Sequence, residues 1–176
     1  MDHTRGVDFT AVYDEHVWHV YGYLGYRVRS REDAEDLTQL TFERAYRAWK
    51  RFDPDRANVK TWLLKIASNL LIDHHRRQSN HEDSVPPDEI SAMAERDPSI
   101  ERSLGISPEL DRALSILSQR DREVIALRFG ADLTGPEISE LTGLSLGNVQ
   151  QILSRSLRRL RSALEAERSA ARAERS

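Results

Sequence analysis

The chain has 176 residues, 39% of them hydrophobic and 31% charged, with a formal net charge of −3. It contains no cysteine, which excludes disulfides and thiolate metal sites and fits a reducing compartment. Asp2, Arg5 and Asp8 stand where a signal peptide needs an apolar core, and no run approaches the roughly 18 apolar residues of a membrane span, so a soluble, intracellular chain without membrane insertion is expected. The length suits one domain or two small ones; domains of about 70 residues bury only about 60% of their unfolded surface, so two of them would be marginally stable alone.

From Phe9 to Arg77 the apolar residues recur at helical spacing, predicting helices near 8–29, 31–50 and 58–77. Ser30 with Asp33 three residues later reads as a capping box, and "FDPDRAN" as a proline turn. In "DAEDLTQLTFERAYRAW", Ala34, Leu37, Thr41, Ala45 and Ala48 fall on one face of the helix, and Asp36, Gln39, Leu40, Glu43 and Arg47 on the other. A leucine among three polar side chains on the outer face has the makings of a partner surface. In "VKTWLLKIASNLLIDHHRR", Val59, Trp62, Leu63, Ile66 and Leu70 form the expected buried stripe, Trp62 included, because an aromatic at helical spacing is most often core. Lys65, Asn69, Ile72 and Arg76 lie on the neighbouring stripe, with Thr61 and Ser68 beside it. Residues 59–77 carry net +3. Amides and hydroxyls beside lysine and arginine suit an unstacked base and its backbone.

Residues 78–107 read as a linker. Pro86, Pro87 and Pro98 interrupt the pattern, and from Asn80 to Leu104 seven acids face two arginines, a local net of −5. Beyond it, Ser107 before Pro108 and Ser118 before Asp121 are N-cap signals. "LTGPEISELTGLSLGNV" reads as helix, turn, helix: Thr134 with Glu137 forms a capping box and Gly143 supplies a left-handed turn residue. In the helix that follows, Val149, Ile152, Leu153, Leu157, Leu160, Ala163 and Leu164 share one arc. Gln150, Gln151, Ser154, Arg155, Arg158, Arg159, Arg161 and Ser162 fill the other. A charged helix face is ordinarily a solvated surface that mixes signs. Here every charge is positive, and two glutamines sit near the N-terminal end, where a helix-turn-helix reaches base edges. The tail, residues 166–176, is expected to fray. The fold expected is all-α: two small helical domains joined by a flexible acidic linker, the C-terminal one containing the helix-turn-helix.

Little supports an enzyme, a metal site or a cofactor. His16 and His19 have no companion acid in a metal-binding arrangement, His74 and His75 diverge on a helix, and neither a phosphate-binding glycine loop nor a Ser/His/Asp signature is present.

The helix-turn-helix stretch with its "SLGNV" and basic end resembles the promoter-binding module of bacterial RNA polymerase sigma factors of the extracytoplasmic-function (ECF) group. "DLTQLTF" is similar to the sigma segment that grips the clamp of the polymerase's largest subunit, where the family pattern is "DLTQETF" and this chain has Leu40. "TWLLKIASN…D…RR" is similar to the segment that recognises and melts the minus-ten element. The motifs stand in the family's order and cover almost all of residues 9–165, without the additional domains of larger sigma factors. The resemblance implies region 2 in residues 1–77, with polymerase docking through Asp36, Gln39, Leu40 and Glu43 and minus-ten contacts through Thr61, Lys65, Asn69, Arg76 and Arg77. It implies region 4 in residues 108–165, with minus-thirty-five contacts through Asn148, Gln150, Gln151, Ser154, Arg155, Arg158 and Arg159. Gln150, Gln151 and Arg155 would lie nearest the bases, and Arg158 and Arg159 on phosphates. Where the family has a basic residue, serine and arginine after the valine, this chain has Gln150, Gln151 and Ile152; glutamine pairs with adenine, so a different upstream element is implied. Implied partners are core RNA polymerase, promoter DNA and an anti-sigma factor, with a monomer outside the holoenzyme. The acidic linker is expected to cover the basic faces of the free protein. The competing reading is a stand-alone helix-turn-helix regulator binding duplex operator DNA; a protein-bridging adaptor would leave the arginine arc without a ligand.

Overall fold

The structure, a computed structural model, describes residues 8–81, 104 and 106–173. The acidic side chains from Glu82 to Glu101, and with them the expected covering of the basic faces, lie outside the described residues. Among the described residues every regular element is helical, and no helix is long and apolar enough to cross a membrane.

The N-terminal half is α1 (Phe9–Arg27), α2 (Arg31–Ala48), a 3-10 turn (Trp49–Arg51) and α3 (Val59–His81). Side chains start the first two helices: Asp8 accepts from the Thr10 amide and Ser30 from the Asp33 amide, each satisfying a donor that has no partner within the helix. Ala34, Leu37, Thr41, Phe42 and Ala45 bury one face of α2 against α1 and α3. At the turn, Trp49 stacks on Phe52 and Trp62 closes over both, with ring centroids 6.1 and 4.6 Å away. Trp62 is thus half-buried in an aromatic cluster at the start of α3, as its spacing predicts.

The C-terminal half is α4 (Pro108–Ser115), α5 (Gln119–Ile125) with a π-helical turn (Ala126–Gly130), α6 (Gly135–Thr142) and α7 (Leu146–Ala173). Ser107, Ser118 and Ser145 cap through bonds from the amides of Leu110, Asp121 and Asn148. At α6 the Thr134 amide donates to Glu137 at 2.7 Å, and Gly143 closes the helix at φ +72°. α6 and α7 are therefore the two helices of a helix-turn-helix, fixed by Ser139 donating its hydroxyl to the Leu144 carbonyl across the turn.

The two halves pack on each other. Val12, Val20, Leu24, Leu63 and Leu70 share a cluster with Val124, Leu127, Leu133, Ile138 and Val149. α1 lies on the π-helical turn so closely that a Cβ at Gly22 would stand 2.2 Å from the Gly130 carbonyl oxygen. Across this seam Tyr23 donates its hydroxyl to Glu123 (2.7 Å), Arg27 pairs with the other Glu123 oxygen (3.0 Å) and donates to the Gln119 carbonyl, and Lys60 donates to the Asp132 carbonyl.

Several expectations are corrected. α3 continues four residues past Arg77, to His81, so the expected linker begins inside a helix. At the linker's other end, Ile106 is buried and Leu104 packs onto Gly25, which anchors the chain before Ser107. The tail does not fray at 166: alanine, glutamate and arginine are good helix formers, and Glu167 holds Arg112 of α4 through two bonds (3.0 and 3.2 Å), so α7 runs to Ala173. Thr61 and Leu64 are buried in α3 beside Leu63 and Leu70, while Val59, Trp62 and Ile66 are all half-buried against the core, which rotates the expected stripe. In α7 Leu157 is exposed and Ser156 fully buried, because the core side runs through Val149, Ile152, Ser156 and Leu160. Leu40 is half-buried against the core rather than exposed.

Candidate nucleic-acid interface

Three faces carry the residues singled out by sequence. On α2, Asp36, Gln39 and Glu43 are exposed beside the half-buried Leu40. Glu43 pairs with Arg47 one turn on, which leaves Asp36 and Gln39 as the polar groups of this face without a side-chain partner among the described residues. Thr38 and Thr41 turn their hydroxyls back onto the carbonyls of Ala34 and Leu37, so the helix meets its core with polar groups already satisfied.

On α3, Lys65, Asn69, Ile72 and Arg76 are all exposed and form one stripe, with Arg77 beside it. Ser68 is half-buried. Thr61, expected beside the stripe as a minus-ten contact, is buried with its hydroxyl unbonded within the described residues. Two histidines lie near the seam behind these helices. Burial, and then the neighbouring Arg27, hold His75 below the ordinary imidazole value. Burial likewise lowers His16, against Glu15 and with His19 and Lys60. Burial, reinforced by Glu123, raises the Tyr23 phenol, so it is a permanent donor to that carboxylate.

On α7, Gln150, Gln151, Ser154, Arg158 and Arg159 are exposed and Asn148 half-exposed near the helix start, where side chains of a recognition helix reach base edges. The arginines are not equivalent. Arg155 donates to Asp121 of α5 at 2.8 Å, and Arg159 donates to the Ile116 carbonyl at the end of α4 at 3.0 Å. Arg158 makes no such bond within the described residues and lines an open groove with Ile116, Arg155, Arg159, Ser162 and Ala163. Sequence reasoning missed these intramolecular ties, as it did the seam; the carboxylate of Asp121 is legible only as a cap-turn residue, and its distance from Arg155 along the chain hides the pairing. Among the described residues no grouping of three or more histidine, aspartate or glutamate side chains could hold a metal ion.

Comparison with known proteins matches residues 12–81 to Sigma-70 region 2 and residues 113–162 to Sigma-70, region 4. The chain is 32% identical to the ECF RNA polymerase sigma factor BldN of Streptomyces coelicolor over 86% of its own length, spanning 58% of that protein. The chain likewise spans 58% of the ECF RNA polymerase sigma factor SigE of Mycolicibacterium smegmatis, at 30% identity over 84% of its own length. It is 33% identical to the RNA polymerase sigma factor CarQ of Myxococcus xanthus, covering 89% of this chain and 88% of CarQ. The solved structure of the sigma factor RpoE in complex with the anti-sigma factor NepR from Bartonella quintana shares the fold: TM-score 0.70, 21% identity, 90% of this chain and 97% of that one. With both sigma regions matched in order and CarQ matched over most of its length, the chain belongs to the bacterial RNA polymerase sigma factors, in the extracytoplasmic-function group.

Proposed function

We propose that this chain binds core RNA polymerase and directs promoter-specific initiation of transcription under the control of an anti-sigma factor. The observation that carries the reading is the presence, on two modules of one chain, of two separate exposed cationic faces: the Lys65–Asn69–Ile72–Arg76 stripe on α3 and the outer face of α7. One duplex-binding helix would serve a stand-alone regulator; a second face with amides and an exposed apolar residue suits an opened strand. In this reading residues 1–77 dock through Asp36, Gln39, Leu40 and Glu43 and hold the minus-ten strand through Lys65, Asn69, Arg76 and Arg77, with Thr61 supporting the helix from inside. Residues 108–165 take the minus-thirty-five duplex through Asn148, Gln150, Gln151 and Ser154 near the start of α7 and through Arg158 further along it.

Catalysis then belongs to the polymerase, and this chain is not an enzyme; it works in the cytoplasm, as a monomer outside the holoenzyme. The anti-sigma partner is supported by the likeness to RpoE of Bartonella quintana, solved in complex with the anti-sigma factor NepR. Run-off transcription with purified core polymerase, with and without the chain, tests the proposal. New start sites that need both components support it. Duplex binding without any association with core would instead establish the stand-alone regulator.

A further inference from the structure

We propose that Asp121 is a positioning residue for the recognition helix: it keeps Arg155 off the DNA and makes it a strut between α5 and α7, leaving Arg158 as the phosphate-binding cation of this segment. The inference rests on the promoter-binding reading of α7 given above.

The geometry is asymmetric in an informative way. The Asp121 side chain is 5% exposed and Arg155 is 55% exposed, with 2.8 Å between Nη2 and Oδ1. A carboxylate that deep needs a cation, since an uncompensated buried charge is costly; the arginine reaching in from the surface is its counter-ion within the described residues. Asp121 is itself fixed in place, because its amide is held by Ser118 at the cap of α5. One turn along α7, Arg159 donates to the Ile116 carbonyl, the residue that ends α4. The recognition helix is therefore tied at successive turns to the start of one helix and the end of another, over the buried Ser156 and Leu160. These ties set the rotation of α7 about its own axis, and with it the direction in which Gln150 and Gln151 leave the helix. An arginine whose charge is already neutralised releases no counter-ion on binding DNA, whereas a phosphate-contacting one does.

The test uses holoenzyme assembled from core polymerase and the full chain, on a promoter duplex found by run-off mapping, with affinity followed as salt is raised. Arg158→Ala should flatten the slope of log K against log salt by about 0.9, one phosphate contact's worth. Arg155→Ala should leave the slope unchanged and reduce severalfold the preference for the native minus-thirty-five element over a scrambled one. Asp121→Asn should reproduce that loss, and the double variant should lose no more than either single one. A slope that falls with Arg155→Ala as it does with Arg158→Ala overturns the strut assignment, as does a loss in the double variant equal to the sum of the two. Should Asp121→Asn fail to fold, Arg155→Gln carries the same slope measurement. If the unsubstituted holoenzyme shows no preference for any duplex element, the promoter-binding reading fails, a result distinct from every outcome for the variants.

Discussion

Gly22 and Gly130, 108 positions apart in sequence, meet backbone to backbone: a Cβ on the first would lie 2.2 Å from the carbonyl oxygen of the second, and a Cβ on Gly130 would lie 2.6 Å from that of Gly22. Real Cβ atoms do not approach backbone so closely, so α1 and the π-helical turn must separate to admit even a methyl group. Gly22→Ala should therefore cost about 3 kcal/mol in urea unfolding, the upper range for overpacking a tight contact, although alanine is the better helix former. A stabilised protein would mean that the two halves do not share this contact in solution.

The seam also carries a polar centre. Glu123 accepts from the Tyr23 phenol and pairs with Arg27, whose side chain is 10% exposed. Hydrogen bonds to a charged group contribute about 1.5–3 kcal/mol, so Glu123→Gln should lower stability by about 2 kcal/mol and Tyr23→Phe by about 1 kcal/mol. The double variant should cost less than their sum, since Tyr23→Phe removes the bond that Glu123→Gln weakens by taking away the carboxylate's charge; strict additivity in the denaturation midpoints would place the two groups apart.

Acid should loosen the same region. His75 is held below the ordinary value of 6.5 by burial, then by Arg27, His74 and Arg122, with Asp33 acting the other way. His16 is lowered by burial, His19 and Lys60 against Glu15. A lowered folded-state value means that, below 6.5, the unfolded chain binds more protons than the folded one. Stability is then complete above that value and declines as pH falls through it toward the folded-state values. The urea midpoint should be lower at about pH 5.5 than at about pH 7.5, with a smaller difference in the His16→Gln, His75→Gln double variant. An identical difference in that variant would move the effect to other groups.

On the outer face of α2, Asp36 is exposed and clear of the core, so Asp36→Arg should leave helix content and melting within about 0.5 kcal/mol of the parent. It should nevertheless abolish co-elution with core polymerase. Retained co-elution would remove Asp36 from the docking face.

What could be read from the sequence was local. Ser30, Ser107, Ser118 and Thr134 announce helix starts because a cap needs only a hydroxyl and an amide two or three residues on, and Gly143 announces the turn because φ +72° strains other residues. The exposed stripe from Lys65 to Arg76 follows from helical period alone. Period does not say which of two adjacent positions faces inward when both arcs are plausible; Ser156 is buried and Leu157 exposed because the partners of α7 come from α4, α5 and α6. The end of α7 depends on Arg112, the role of Arg155 on Asp121, and the seam on two glycines. Each is set by a residue tens of positions away, where no local rule reaches.

The turn Ala126–Gly130 has a consequence for how this chain tolerates change in length. Its bonds skip five residues, as in the Ala131 amide donating to the Ala126 carbonyl, so it holds one residue more than an α-helical turn. Removing one residue there would allow ordinary helix to run on without a break, with every cap and apolar position downstream intact. The turn would still close one revolution, so the Asp132 carbonyl and the helix-turn-helix would keep nearly the side they turn to α1, whereas the same deletion in an ordinary α-helical turn rotates all that follows by roughly 100°, the angle of one helical residue. This turn is therefore a place where the chain can lose one residue, other than Gly130, and keep its two halves aligned.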